Sequence, residues 1–427
     1  MSDYKRTAIR RLSVRGFRSI RALERTEIPD LVVLHGPNGA GKSNILQAVQ
    51  LVLRAAARPE VLPVGPDGSV SLSLKNADNA LGLRPEDFHY PGLPEIRVAI
   101  DIALGTKATE IVRAPSPLGQ LSIELVVQLP ADDRIQYWFE HAAVDGLVLD
   151  ARRIGLNREE GILYQRIRET LLPHLLQVSP AYRVPGDEHD PQDALYGAFV
   201  SEDSKEVDAA EHLGQRLAAA GLFGAETSGV ALRPVDSRTY NQKQIRFKHP
   251  THGYLPLRSL GSGEQQIVFM LAQRVITPYP IAQIEEPEAH LHTKLMEPFA
   301  RVLRESVEGD TPDVDQLWIA THHHHFALAP EYFDVRLVDG ATQVEKRPRE
   351  EAMEHFYEPH PYWETLRTLL EDKLLDEETI LFEDESGPLR AKDVLSSMRG
   401  DRRVANHYVA VATQALVLSL AQERRGT

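Results

Sequence analysis

The chain has 427 residues, 42% of them hydrophobic and 26% charged, a balance that suits soluble domains with a sizeable buried core. Its formal net charge is -14 and its pI is near 5.7, which argues against wholesale electrostatic binding to nucleic acid and leaves room for a local basic patch. It contains no cysteine, which excludes disulfides, thiolate zinc sites and cysteine nucleophiles together and fits a reducing compartment.

From the N-terminus, Met1–Arg11 is polar and basic with no apolar run behind it, so it does not read as a signal peptide. Stretches near Leu46–Ala57 and Val409–Ala421 are broken by polar residues and fall short of the roughly 18 apolar residues that cross a bilayer. The expectation is a cytoplasmic protein without a membrane partner. Strands are predicted at Ile9–Val14, Ala22–Ile28 and Leu31–Leu34. Five arginines (Arg10, Arg11, Arg15, Arg18 and Arg21) mark the first part, either as a solvated strand face or as a phosphate-backbone contact. A helix follows over Ser43–Arg54, with Ile45, Leu46, Val49, Val52 and Leu53 at helical spacing. Residues 58–94 read as loop, and strand patterns return at Glu95–Leu104 and Leu121–Leu129. The spacing over 131–235 predicts an inserted, mostly helical subdomain with helices near Glu159–Leu176 and Gln192–Leu222; no heptad survives three repeats there. A short strand falls at Gln244–Phe247, residues 260–345 alternate helix and strand, and 346–427 read as a helical tail with one strand near Ile380–Phe382. The division is therefore 1–130, 131–235, 236–345 and 346–427.

Gly36-Pro37-Asn38-Gly39-Ala40-Gly41-Lys42-Ser43 matches G-x-x-x-x-G-K-[ST], between an apolar strand and an amphipathic helix that opens with Asn44. Glycines let successive N–H groups converge on anionic oxygens, and the helix N-terminus adds partial positive charge. Lys42 is placed to reach β- and γ-phosphates, and the Ser43 hydroxyl to ligate Mg²⁺. The bland alternative is a glycine-rich turn that happens to precede a helix.

Leu260-Gly261-Ser262-Gly263-Glu264-Gln265-Gln266 precedes a second amphipathic helix. Ser262 and Gln265 satisfy a capping box, which does not explain glycines on both sides of the serine; those would let another molecule's phosphate approach closely. Pro280–Ile284 reads as a strand ending in Glu285-Glu286-Pro287-Glu288. Beside a triphosphate, Glu285 is assigned to the metal and Glu286 to the attacking water; the alternative is an acidic turn capping the next helix. Gln283 is polar in an otherwise apolar strand, and nothing in the sequence explains it. Gln316–Ala320 is another apolar strand, ending at Thr321-His322, where an imidazole can bond the γ-phosphate and report its loss. A metal site on His322–His325 is the alternative, weakened because consecutive side chains of an extended chain face opposite ways and no Cys or carboxylate stands nearby.

Taken in order, Gly36–Ser43, Leu260–Gln266, Ile284–His292 and Thr321-His322 resemble an ABC-type ATPase head. Glu-Glu-Pro-Glu-Ala-His-Leu-His and the earlier Gly16-Phe17-Arg18-Ser19-Ile20 are similar to the bacterial AAA-like branch related to RecF, SMC proteins and OLD nucleases. The resemblance covers about residues 8–115 and 236–345. It implies an α/β P-loop NTPase fold: a mixed sheet sandwiched by helices beside a strand-rich N-terminal lobe. It also implies an ATPase that uses ATP and Mg²⁺, in which two copies pair head to tail. Ser262, Gly263 and Glu264 would then face the nucleotide on the partner's Lys42; Glu286 matches the catalytic glutamate and His322 the switch histidine. Glu285 stands where an Asp is usual, Gly261 where Ser is common, and the stretch Arg84–Tyr90, where a Q-loop glutamine is sought, holds no Gln. Ile380–Gly387 faintly resembles half of a Toprim nuclease site, but no D-x-D pair follows, so a separate effector protein is expected. The function implied is a clamp or sensor in DNA repair or anti-phage defence, with DNA as a further candidate partner. The alternatives are the ATP-binding subunit of a transporter, disfavoured by about 220 residues between the phosphate loop and the signature, or an ATP-bound scaffold for an effector.

Overall fold

The computed structural model describes residues 6–58, 66, 69–84, 87–88, 95–114, 116–128, 134–149, 158–179, 204–222, 232–237, 242–249, 252–276, 279–310, 312–349, 380–384 and 387–390. The chain divides into two compact units, Met1–Arg347 and Pro348–Thr427. In the second, β17 (Ile380–Asp384) and β18 (Gly387–Arg390) pair antiparallel; most of the expected helical tail lies outside the described residues.

The first unit is organised by one helix. α1 (Lys42–Ala56) buries 11 of its 15 residues, so it lacks the solvated face that its spacing predicts and is enclosed on nearly all sides. It fills the space between two sheets, touching strands of both. One is antiparallel, in the order β2 (Ile20–Thr26), β1 (Ala8–Phe17), β5 (Glu95–Ala103), β6 (Gln120–Gln128), β7 (Arg134–Val144), β4 (Val70–Ser73), with β8 (Leu147–Val148) on β7. Its strands alternate, as in β5, where Ile96, Val98, Ile100 and Ile102 face the core.

The other sheet runs β16 (Ala341–Pro348), β15 (Glu331–Val338), β3 (Leu31–His35), β14 (Gln316–Thr321), β13 (Ile281–Glu285), β9 (Leu176–Ser179), and it is parallel from β15 to β9. These strands carry near-continuous apolar runs such as Leu31–Leu34, as strands covered on both faces do. Val98, Ile100 and Leu125 from the first sheet and Val32, Leu34, Trp318 and Ala320 from the second share one core with α1. A third sheet, β10 (Leu232–Ser237), β11 (Gln242–His249) and β12 (Gly253–Pro256), is antiparallel.

Two expectations differ from this outcome. Residues 58–94 are not all loop: β4 lies there, followed by α2 (Leu74–Leu81), which Ser73 caps by accepting from the Asn76 N–H. A further helix, α3 (Thr106–Val112), follows β5. The described part of 131–235 holds α4 (Arg158–Arg166, prolonged by one π-helical and one 3₁₀ turn to His174) and α5 (Ser204–Ala219). Among the described residues it also supplies β7 and β8 to the antiparallel sheet and β9 to the parallel one, strands that its spacing does not predict beside its helices. β9 pairs with β13, about 100 residues further along the chain, so its own sequence carries little strand signal. The remaining helices are α6 (Ser262–Ile276) and α7 (Thr293–Glu308).

Two buried glutamines tie the layers together. Gln283, unexplained by the sequence, accepts from Gln50 Nε2 at 2.9 Å and donates to the Leu46 carbonyl at 3.4 Å, which joins β13 to α1. Gln316, fully buried at the start of β14, accepts from the Ile9 N–H at 2.9 Å and donates to the Ile9 and Pro29 carbonyls at 3.0 and 2.8 Å. It therefore joins the two sheets. Gln316→Leu leaves those backbone groups without their partner, and each such buried group costs about 1–3 kcal/mol. The expected loss is roughly 2–4 kcal/mol, read as a lower urea midpoint with an unchanged slope; a loss under about 0.5 kcal/mol would show that the staple is not holding the sheets.

Candidate functional site

The parallel sheet brings three segments to one edge. In register, Thr321 of β14 lies beside His35 of β3, and Glu285 of β13 beside Ala320 of β14, so the chain leaves all three strands at neighbouring C-terminal ends. Ligands bind at such ends in open parallel sheets.

After His35 the loop Gly36–Gly41 curls into α1, with Gly39 and Gly41 at φ of 78° and 102°. Gly41 has a second constraint: a Cβ there would collide with the Thr342 hydroxyl. Thr342, buried in β16, donates its hydroxyl to the Ala40 carbonyl at 3.1 Å and its N–H to the Ser19 carbonyl at 2.7 Å. The Ser19 and Thr342 hydroxyls lie 2.6 Å apart, and Asn44 Nδ2 donates to Ser19 Oγ at 2.6 Å. Arg18 reaches Asn44 Oδ1 at 3.4 Å and pairs with buried Asp87 at 2.7 Å. The turn after β1 and the hairpin of β15 and β16 thus brace the loop. Asp87 is what the described part of Arg84–Tyr90 contributes. Of the early arginines, Arg10 pairs with Asp30, and Arg11 with Glu24 and Asp101, as a strand face engaged with carboxylates.

Lys42 is buried at 6% exposure, and its ammonium donates to the loop's own Gly36 and Pro37 carbonyls at 2.8 and 3.0 Å. Burial lowers its pKa from the ordinary value, while the carboxylates of Glu286, Glu288 and Glu285 act the other way. Lys42 and the carboxylate turn therefore face one another. The Ser43 hydroxyl donates to Glu285 Oε1, joining the first residues of α1 to the end of β13.

The turn after β13 is unusual backbone. Glu286 has φ of 47° and His290 of 61°, a region that residues with a Cβ enter at some cost. It is held by Glu286 N–H to Ala320 O at 2.8 Å, Ala289 N–H to Glu286 O at 2.9 Å and Leu291 N–H to Glu288 O at 3.1 Å. The carboxylates do not cap the next helix; His292 caps α7 by accepting from the Lys294 N–H.

At the signature, Gly261 and Ser262 are exposed and Gly263 is buried. The cap differs from the expected box: Gly261 N–H donates to Glu264 Oε2 at 3.0 Å, and Gln265 Nε2 donates to the Leu260 carbonyl at 2.8 Å. Gly263 packs on the carboxylate turn, where a Cβ would strike the His290 carbonyl. Its lack of a side chain is thus required inside this chain, a reason the sequence did not offer.

After β14, His322 is 43% exposed by side chain, with Nδ1 3.0 Å from Glu288 Oε1. His323 and His325 stack at 5.1 Å, and the Nδ1 of His323 accepts from the His325 N–H at 3.4 Å. No three His, Asp or Glu side chains converge into a metal group among the described residues. A hydroxyl on a carboxylate suits Mg²⁺ nonetheless, because that ion keeps waters and takes phosphate oxygens for most of its shell.

Comparison with known proteins agrees with this constellation. Residues 130–323 match the family profile described as "AAA domain, putative AbiEii toxin, Type IV TA system", a span that holds the signature, Glu285, Glu286 and His322. The profile begins beyond the glycine-rich loop at residues 36–43. Solved structures similar to the head include an SMC head bound to the C-terminal winged-helix domain of ScpA, at 16% identity and TM-score 0.48, over 81% of this chain and 100% of that one. The SMC head from Thermotoga maritima is 15% identical at TM-score 0.44 over 80% and 99%. An SMC head with an extended coiled coil from Pyrococcus furiosus, bound to the C-terminal domain of ScpA, is 17% identical at TM-score 0.47 over 82% and 99%. The curated proteins include no match. No helix among the described residues is long and apolar enough to cross a membrane.

His323 gives the site a pH signature. Burial, then the neighbouring His325 and His322, lower its pKa to about 4. The unfolded chain, with a value near 6.5, therefore binds the extra proton between about pH 6.5 and 4. Stability is present in full above that window and lost as pH falls through it. His323→Gln should flatten the decline in unfolding free energy between pH 7 and 4.5, by about 1–2 kcal/mol after discounting for partial exposure; an unchanged pH slope in urea titrations would contradict this.

Proposed function

We propose that this head binds ATP with Mg²⁺ and hydrolyses it. The observation that carries the reading is the convergence of Lys42, Ser43, Glu285 and Glu286 from strand ends more than 200 residues apart. Backbone N–H groups of 36–41 and the start of α1 receive the phosphates, and Lys42 exchanges its loop carbonyls for phosphate oxygens. Ser43 and Glu285 would hold Mg²⁺, which would supply charge neutralisation to the phosphates. Glu286, aimed by its left-handed backbone, orients and polarises the attacking water, and His322 contacts the γ-phosphate.

We further infer that two copies pair head to tail. The solvent exposure of Gly261 and Ser262 supports this, because the N-terminus of α6 is open to a phosphate held by a second copy. We infer a role as an ATP-driven sensor or clamp in DNA repair or anti-phage defence, acting through a separate effector; the matched profile's description, which names a toxin–antitoxin system, is consistent with a defensive role.

Glu286→Gln should bind ATP with near-native affinity and lose turnover by about 10²–10⁴-fold, the usual worth of a positioned base. It should also sediment as an ATP-dependent dimer, and Lys42→Ala should lose nucleotide binding. Failure of the wild-type chain to retain ATP with magnesium, or equal turnover in Glu286→Gln, would defeat the reading.

A further inference from the structure

Glu288 is a carboxylate that this scheme leaves without a task. It is 5% exposed, and its bonds converge on one oxygen: Oε1 accepts from the Thr321 hydroxyl at 2.7 Å and from the His322 N–H at 2.9 Å, and lies 3.0 Å from His322 Nδ1. Oε2 is buried and has no hydrogen-bond partner among the described residues. An ionised carboxylate in such a place is costly unless a cation answers it. The hydroxyl and the amide fix its position but carry no charge. Lys42 feels Glu288 only at a distance, whereas the His322 ring touches it.

An imidazole has two nitrogens on different edges of the ring. With Nδ1 on Glu288, Nε2 is left on the other edge of a side chain that is 43% exposed. A carboxylate can only accept, so a neutral ring that bonds Glu288 through the nitrogen 3.0 Å away carries its proton on Nδ1. Nε2 is then the ring atom left to meet a phosphate oxygen, donating to it when the ring carries both protons.

We propose that Glu288 is the positioning residue for His322, holding its ring by Nδ1 with Nε2 turned outward toward a phosphate oxygen. The phosphate contact rests on the hydrolysis reading above; the Glu288–His322 dyad does not.

Two measurements separate them. The first is ¹⁵N NMR of the full chain with labelled histidines near pH 8, the His322 signals being identified by their loss in His322→Gln. Wild type should show the Nδ1–H tautomer, and Glu288→Gln, which keeps the side-chain volume and one acceptor oxygen but can also donate, should shift the population toward Nε2–H. An unchanged tautomer would overturn the dyad whether or not the chain hydrolyses ATP. The second is a double-mutant cycle on turnover, with melting temperature and ATP affinity as folding controls. Glu288→Gln should lower kcat about 10–100-fold with KM within about twofold, and the Glu288→Gln, His322→Gln double variant should be no slower than His322→Gln alone, as expected of residues acting as one unit. Losses that multiply would show that Glu288 acts independently of His322, and the proposal would fall.

Discussion

An ammonium buried between two sheets has to be met by negative charge, and most of the architecture around Lys42 follows from that requirement. Lys42 is buried because α1 is buried, and α1 is buried because it fills the gap between an antiparallel and a parallel sheet. Removing the charge from water favours its loss. Two loop carbonyls and three carboxylates at the end of β13 oppose that, so the turn Glu285–Glu288 could not sit elsewhere without leaving a cation stranded in the core. The same proximity that satisfies Lys42 places a carboxylate beside the Ser43 hydroxyl.

The turn that carries these carboxylates is held from three sides. Its N–H at Glu286 is tied to β14, its interior by bonds from Ala289 and Leu291, and its far end by the close approach of Gly263 to His290. Two residues with a Cβ at positive φ persist only where the surroundings over-determine them, and here they do. The signature and the carboxylate turn are consequently one packed unit: the start of α6 cannot shift toward the turn without displacing the His290 backbone, four residues from Glu286.

Much of this site is legible in the sequence because its chemistry is local. Gly36–Ser43 needs only eight contiguous residues and its flanks, and the strands at Leu31 and Gln316 announce themselves as short apolar runs. What the sequence hid depends on partners far along the chain. Gln283 looks anomalous until Gln50, 233 residues away, is packed against it. β9 falls in a stretch that reads as helical because what makes it a strand is the edge of the parallel sheet at β13, about 100 residues further on, not its own periodicity. Ser262 and Gln265 form a plausible capping box on paper, yet Glu264 reaches Gly261 instead. Glu288 stands in plain view in Glu-Glu-Pro-Glu, but its contact with His322 spans 34 positions and no spacing rule links them.

The phosphate loop itself makes the same point most sharply. Its glycines are usually explained by freedom, yet Gly41 at φ 102° is confined: the space a side chain would need is taken by Thr342. That threonine belongs to the hairpin of β15 and β16, bonds the Ala40 carbonyl 302 residues away and meets Ser19 323 residues away; Asn44 and Arg18 complete the bracing on the other flank. A loop gripped in this way is ordered before any anion arrives. The free energy of a phosphate contact is then not spent on freezing the backbone, which is how a short run of N–H groups can hold a charged ligand against water.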